Sequence, residues 1–270
     1  MTTFADRPLA RRVAVLGHGT IGSVVAAELT AGKVAGAELC GVIGRRPQGD
    51  SSLPWTTLDD ALDVADVIVE CAGQQAVRDH ATAILEAGVD LVLTSVGALS
   101  DTDLRARLGA AGPGRMVITN GAIGGLDMLA AAHAAGGLDT VTLTSTKKPT
   151  SLLRPWMSAD EKRRLTDASK PVVAFRGTPD EAARLFPESL NVALAVDLAV
   201  GGHGTTVVEL IADPHTPMTR HAISADGPFG RYSMVFENRP SADNPRSSAI
   251  VPYSVLQTIG SLVGRRPVSV

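Results

Sequence analysis

The run Val13-Ala14-Val15-Leu16-Gly17-His18-Gly19-Thr20-Ile21-Gly22 sets three glycines at G-x-G-x-x-G spacing directly behind an apolar stretch. That spacing points to phosphate binding. Gly17 permits a tight turn, Gly19 removes the Cβ that would hold the backbone away from a pyrophosphate, and Gly22 lets a helix approach the strand before it. A helix starting at Thr20 and Ile21 offers its first N–H groups and the positive end of its dipole to the phosphates. Such folds commonly end their second strand on an acidic residue that takes ribose hydroxyls. Here Val42-Ile43-Gly44-Arg45-Arg46 ends on two guanidinium groups instead. Because Arg binds phosphate through paired N–H bonds, Arg45 and Arg46 favour NADP over NAD, the plain alternative being two solvated loop charges. Ligands sit beyond the carboxyl ends of the strands in these sheets. Cys71 and Ala72, in the small-residue turn Glu70-Cys71-Ala72-Gly73, are therefore expected to line the dinucleotide path, with Thr94-Ser95-Val96-Gly97 as a second wall.

A second group of chemistry-bearing segments follows. Asn120-Gly121-Ala122-Ile123-Gly124-Gly125-Leu126-Asp127 is another glycine-rich turn into a helix. Beyond it lie Thr146-Lys147-Lys148-Pro149, then Phe186-Pro187-Glu188-Ser189-Leu190-Asn191-Val192-Ala193, then Ala212-Asp213-Pro214 with His221 downstream, and lastly Glu237-Asn238-Arg239-Pro240 running on to Asn244-Pro245-Arg246-Ser247-Ser248. Two lysines just after a strand can point one ammonium into a cleft, where it would pair with a carboxylate. Lys148 is the lysine chosen for that role, with Lys147 as its rival.

Taken together these segments resemble the L-aspartate dehydrogenases, over essentially the whole chain. The resemblance implies oxidation of L-aspartate to iminosuccinate with NAD or NADP, release of oxaloacetate and ammonia when water captures the imine, and in many bacteria delivery of the imine to nicotinamide cofactor biosynthesis. It makes His221 the acid/base residue and places Ala122 and Asn191 on the nicotinamide side. Thr219 stands where such proteins commonly carry Asn. Histidine suits the role on its own chemistry, since its unperturbed pKa of about 6.5 allows proton exchange near neutrality. Asp213 is either a turn residue or a partner orienting His221. Two other readings share these features: a related NAD(P)-dependent amino-acid dehydrogenase or imine reductase with another substrate, and a non-catalytic NADP-binding sensor.

The elements that must position these residues follow from hydrophobic patterning. From Arg12 to about Thr119, apolar runs alternate with glycine turns and helical stretches, as in a doubly wound parallel α/β sheet. Beyond Asn120, threonines alternate with apolar residues through Thr140 to Ser145 in the manner of a half-exposed strand, and an α+β domain with a mixed sheet is expected. The expected division is a Rossmann domain over 1–120, a substrate and dimerisation domain over 121–245, and a closing helix over 246–270 that returns toward the first domain. Thr178 and Pro179 read as the N-cap and first residue of a helix.

Composition narrows the partners. The chain has 270 residues, a net charge of −3 and 44% hydrophobic residues, so neither nucleic acid nor an anionic membrane is expected as a partner. Its two cysteines, Cys40 and Cys71, lack disulfide or zinc spacing, and no metal site is expected. With no secretory segment at the start and no apolar stretch of about 18 residues, a cytoplasmic protein is expected. A homodimer is expected through the threonine-rich strand, because an antiparallel sheet often keeps one face free.

Overall fold

Strand β1 (Arg11–Leu16) is formed by the apolar run behind the first glycine motif, and its Val13, Ala14 and Val15 have no exposed surface. The computed structural model describes residues 10–45, 52–186, 191–202, 205–244 and 247–264. After β1 come α1 (Thr20–Thr30), β2 (Ala37–Ile43), β3 (Trp55–Thr56), α2 (Leu58–Val64), β4 (Val67–Glu70), α3 (Gln74–Glu86), β5 (Asp90–Leu93), α4 (Thr102–Ala110) and β6 (Met116–Ile118). A 3-10 turn spans Val96–Ser100. Among the described residues these strands form one sheet in the order β3-β2-β1-β4-β5-β6, with every neighbouring pair parallel. The order reverses between β1 and β4, which is the switch point of a doubly wound sheet. Every residue of β4 and β5 is buried, as strands covered on both faces must be.

The second part of the chain runs through α5 (Leu126–Gly136), β7 (Thr140–Lys147), α6 (Pro149–Leu152), α7 (Ala159–Thr166), β8 (Val172–Gly177), α8 (Pro179–Leu185), α9 (Asn191–Ala199), β9 (Val207–Ala212), β10 (Thr219–Gly227) and β11 (Gly230–Asn238). Its sheet has the order β11-β10-β7-β9-β8. The β7/β9 pair is parallel and the other three pairs are antiparallel, so this sheet is mixed. Both expected sheet types are therefore present. Ser158 and Thr178 each close a capping box at the start of α7 and α8, which satisfies helix donors that would otherwise be orphaned.

Helix α10 (Val251–Val263) follows, beginning later than the helix expected over 246–270, and Ser248 before it is bridged to Pro240. Its Val255, Leu256 and Ile259 join Val13, Val15 and Val25 in one apolar cluster. Contacts group the described residues into two units: those up to Ala98, Thr102–Thr119 and those from Pro252 on make one, and Leu99–Asp101 with Asn120–Val251 make the other. Among the described residues no helix is long and apolar enough to cross a membrane.

Candidate active site

In the first unit, each glycine of the motif has its own cause. Gly17 has φ +98° and donates its N–H to the Ile43 carbonyl at 2.8 Å, and a Cβ on it would stand 2.7 Å from the backbone of Ala72. A Cβ on Gly22 would overlap the Gly17 carbonyl oxygen. Gly19 is different. Among the described residues no atom beyond its own chain neighbours lies within 4 Å of the place its Cβ would take, and its backbone is extended, so the described residues leave room for a side chain there. The bare backbone at Gly19 suits a ligand that must approach closely. Gly19 caps α1 without any side-chain hydrogen bond, and the first turn, which contains Thr20 and Ile21, holds no acidic residue. The helix end is thus left open to an anion. These residues fit the pyrophosphate of a dinucleotide.

Opposite Gly17, the turn after β4 is held by Glu70, whose carboxylate is 1% exposed. It accepts the N–H groups of Ala72 at 2.8 Å and Gly73 at 2.7 Å, and the N–H and hydroxyl of Ser95 at 2.9 Å each. Burial pushes the Cys71 thiol up, helped by the Glu70 charge and opposed by Thr94, so Cys71 is not poised as a nucleophile. Arg45 is exposed just beyond the end of β2, and Arg46 lies outside the described residues. His18, the residue between the first two motif glycines, meets Trp55 edge-on with ring centroids 5.0 Å apart.

In the second unit, one face of the sheet is buried, and strand register decides what it carries. Along β7 the buried residues are Val141, Leu143, Ser145 and Lys147, a period of two. Leu143 pairs with Ile223 of β10 and Val208 of β9; one step on, Ser145 pairs with His221 and Leu210. The apolar face thus turns polar at one end. His221 is 2% exposed, with Nδ1 2.8 Å from Ser145 Oγ. Burial, reinforced by the Lys147 ammonium, pushes the imidazole down to about 3, so it is neutral at physiological pH. Lys147 is itself pushed down to about 8 by burial and by the neighbouring Arg154 guanidinium. Arg154 is also buried; its Nη1 donates to the carbonyls of Ser151 and Leu153, and its guanidinium stacks 5.3 Å from the Phe186 ring centre. A neutral imidazole and two buried cations in one neighbourhood can receive a carboxylate and take a proton from a group beside it.

The period of two also separates the lysines. Lys148, chosen from the sequence, is exposed and precedes α6, whereas Lys147 is on the buried face with Ser145. Ala122 gives its carbonyl to Asn238 Nδ2 at 2.8 Å, and Asn191 is half-buried at the first position of α9. Asp213 accepts the His215 N–H at 2.9 Å as a turn residue, and the contact to the His221 ring comes from Ser145. Among the described residues no three His, Cys, Asp or Glu side chains gather as metal ligands would. Sequence reasoning missed Glu70, Ser145, Arg154 and Asn238. A polar residue closing an apolar strand could have exposed Glu70, and phase with Val141 and Leu143 could have exposed Ser145.

The family model for the C-terminal domain of aspartate dehydrogenase matches residues 127–262, and that for the NAD-binding domain of homoserine dehydrogenase matches residues 17–114. The chain is 39% identical to an L-aspartate dehydrogenase of Ruegeria pomeroyi over 92% of this chain and 91% of that one. It is 40% identical to that of Ralstonia nicotianae over 76% and 77%. The crystal structure of aspartate dehydrogenase from Thermotoga maritima shares the fold with a TM-score of 0.74, at 24% identity, covering 96% of this chain and 99% of that one. The chain belongs to the L-aspartate dehydrogenase family.

Proposed function

We propose that the protein oxidises L-aspartate to iminosuccinate, which water converts to oxaloacetate and ammonia, with NADP as the preferred oxidant. The observation that carries this reading is the neutral, buried His221 in the electrostatic neighbourhood of buried Lys147, with buried Arg154 beside that lysine. Lys147 and Arg154 hold the two carboxylates of the substrate. His221 takes the proton that the substrate ammonium must lose before hydride can leave the α-carbon, and later activates the water that attacks the imine. The nicotinamide, when bound, accepts that hydride. Gly17, Gly19, Thr20, Ile21 and Gly22 hold the pyrophosphate, Cys71 and Ala72 line its path, Arg45 and Arg46 receive the 2′-phosphate, and Ala122 and Asn191 contact the nicotinamide side.

The second sheet supports a homodimer. On its other face Thr144, Ala222 and Val235 form a row across β7, β10 and β11, and Val235 is 51% exposed. A second copy of this chain covers that row, and sedimentation of Val235→Arg as a monomer is the check.

The reaction is tested with L-aspartate and NADP, and in reverse with oxaloacetate, ammonium and NADPH. Turnover in both directions that collapses in His221→Ala is expected; dinucleotide binding without turnover in either direction would refute the assignment.

A further inference from the structure

We propose that Ser145 is the positioning residue that selects which nitrogen of His221 faces the substrate. The proposal rests on His221 being the acid/base group. Ser145 has no exposed surface, and the two residues are directly paired across β7 and β10, so both side chains rise from the same face of the sheet. Ser145 Oγ stands 2.8 Å from Nδ1.

A neutral imidazole carries one N–H and one lone pair, and only the nitrogen with the lone pair can act as a base. With Nδ1 engaged by Ser145, Nε2 is the nitrogen left for the substrate. When Ser145 accepts the Nδ1–H, the lone pair sits on Nε2. After Nε2 takes a proton the imidazolium keeps the same Nδ1–H bond to the same oxygen, so proton transfer needs no rearrangement of its support. A hydroxyl also does something here that a carboxylate would not. An anion against Nδ1 would raise the affinity of the ring for a proton, whereas a neutral oxygen fixes the ring without adding a charge beside it. Asp213, the acidic candidate from the sequence, accepts the His215 N–H at 2.9 Å.

The test combines kinetics with the 15N spectrum of the imidazole. In the wild type the spectrum should show His221 as the Nδ1–H tautomer, and in Ser145→Ala it should show a mixture. Ser145→Ala should lose about 10- to 100-fold in kcat for L-aspartate, a fraction of what a general base contributes, with KM and NADPH affinity nearly unchanged. Ser145→Thr, which keeps the hydroxyl, should recover most of that loss. A wild-type ring protonated on Nε2, or a Ser145→Ala enzyme with undiminished kcat, would overturn the proposal. The wild-type spectrum decides the tautomer even if Ser145→Ala fails to fold. If L-aspartate is not turned over at all, the substrate reading falls, and the tautomer shift on Ser145→Ala still decides what Ser145 does.

Discussion

Glu70 accepts both the backbone N–H and the hydroxyl of Ser95, each at 2.9 Å, and so ties the end of β4 to the end of β5. The same carboxylate accepts the N–H groups of Ala72 and Gly73, in the turn against which Gly17 packs. One buried anion thus shapes two turns beside the glycine loop. In Glu70→Gln the amide NH2 replaces an acceptor and must face N–H donors, which leaves buried groups unsatisfied at a cost of about 1–3 kcal/mol. The variant should unfold at lower urea concentration and bind NADPH more weakly in a fluorescence titration. Unchanged NADPH affinity would mean that the turns hold their shape without Glu70.

Gly17 and Gly19 should separate folding from binding. Gly17→Ala forces a side chain onto φ +98° and into the Ala72 backbone, so it should destabilise the protein by about 1–3 kcal/mol. Gly19→Ala meets, among the described residues, no atom beyond its chain neighbours within 4 Å and has an extended backbone, so thermal unfolding should be nearly unchanged. Its NADPH affinity should nevertheless fall by about tenfold or more, the equivalent of ~1.4 kcal/mol. Equal NADPH affinity in Gly19→Ala and wild type would contradict the placement of the pyrophosphate.

The proposed preference for NADP rests on the two arginines that follow β2 in the sequence. Replacing Arg45 and Arg46 together with Ala should raise the KM for NADP far more than that for NAD, because only NADP carries the 2′-phosphate. Equal effects on the two cofactors would remove the preference.

These predictions also mark where the sequence was legible. The first sheet could be read almost element by element, since β4 and β5 are buried on both faces and form continuous apolar runs. Strand β10, which carries His221, has little pattern in the sequence. Its inward residues His221, Ile223 and Ala225 alternate with Ala222 and Ser224, small residues that give little contrast between the two faces. Two-residue β3 is too short to show any period, and β8 has Val173 exposed on its outer side. The site was half legible for a related reason. Local spacing exposes a glycine loop, whereas the Ser145–His221 contact joins residues 76 apart and depends on register. The choice between Lys147 and Lys148 likewise needed the phase of β7 fixed by its buried neighbours.

Asp90 sets the acid limb of stability in the first unit. Burial alone would raise its carboxyl, but hydrogen bonds and charge from Arg115, and charge from Arg11, together hold it below its ordinary value. A carboxyl depressed in the folded state stabilises fully above its unfolded pKa, and that contribution is lost as pH falls through the folded value. Asp90→Asn should therefore be less stable than wild type at pH 7, and the gap between them in urea midpoint should shrink as pH is lowered below about 4. A gap independent of pH would assign the loss to packing.

Lys147 and His221 couple stability to pH. His221 is pushed from 6.5 down to about 3, so between those values the unfolded chain binds a proton that the folded one does not. Its contribution to stability is complete above pH 6.5 and is lost as pH falls toward 3. Lys147 is pushed from 10.5 down to about 8, so the ligand-free protein gains stability as pH rises through that interval. A dicarboxylate placed on Lys147 and Arg154 would oppose these shifts with its own charge: it pairs the buried ammonium with an anion, and it offsets the Lys147 charge at His221, so that the ring becomes easier to protonate. Succinate, which has both carboxylates and no amine to oxidise, should therefore raise Tm at pH 7 and do so less at pH 9.5, where Lys147 has lost its proton. Lys147→Met removes the buried ammonium and keeps an apolar chain of similar length. It should abolish most of the succinate-induced rise in Tm and cut kcat/KM for L-aspartate by about 100-fold or more, the loss of about 2.7 kcal/mol of transition-state stabilisation. If Lys147→Met keeps the full succinate response, Arg154 alone receives the carboxylates and Lys147 is removed from the substrate site.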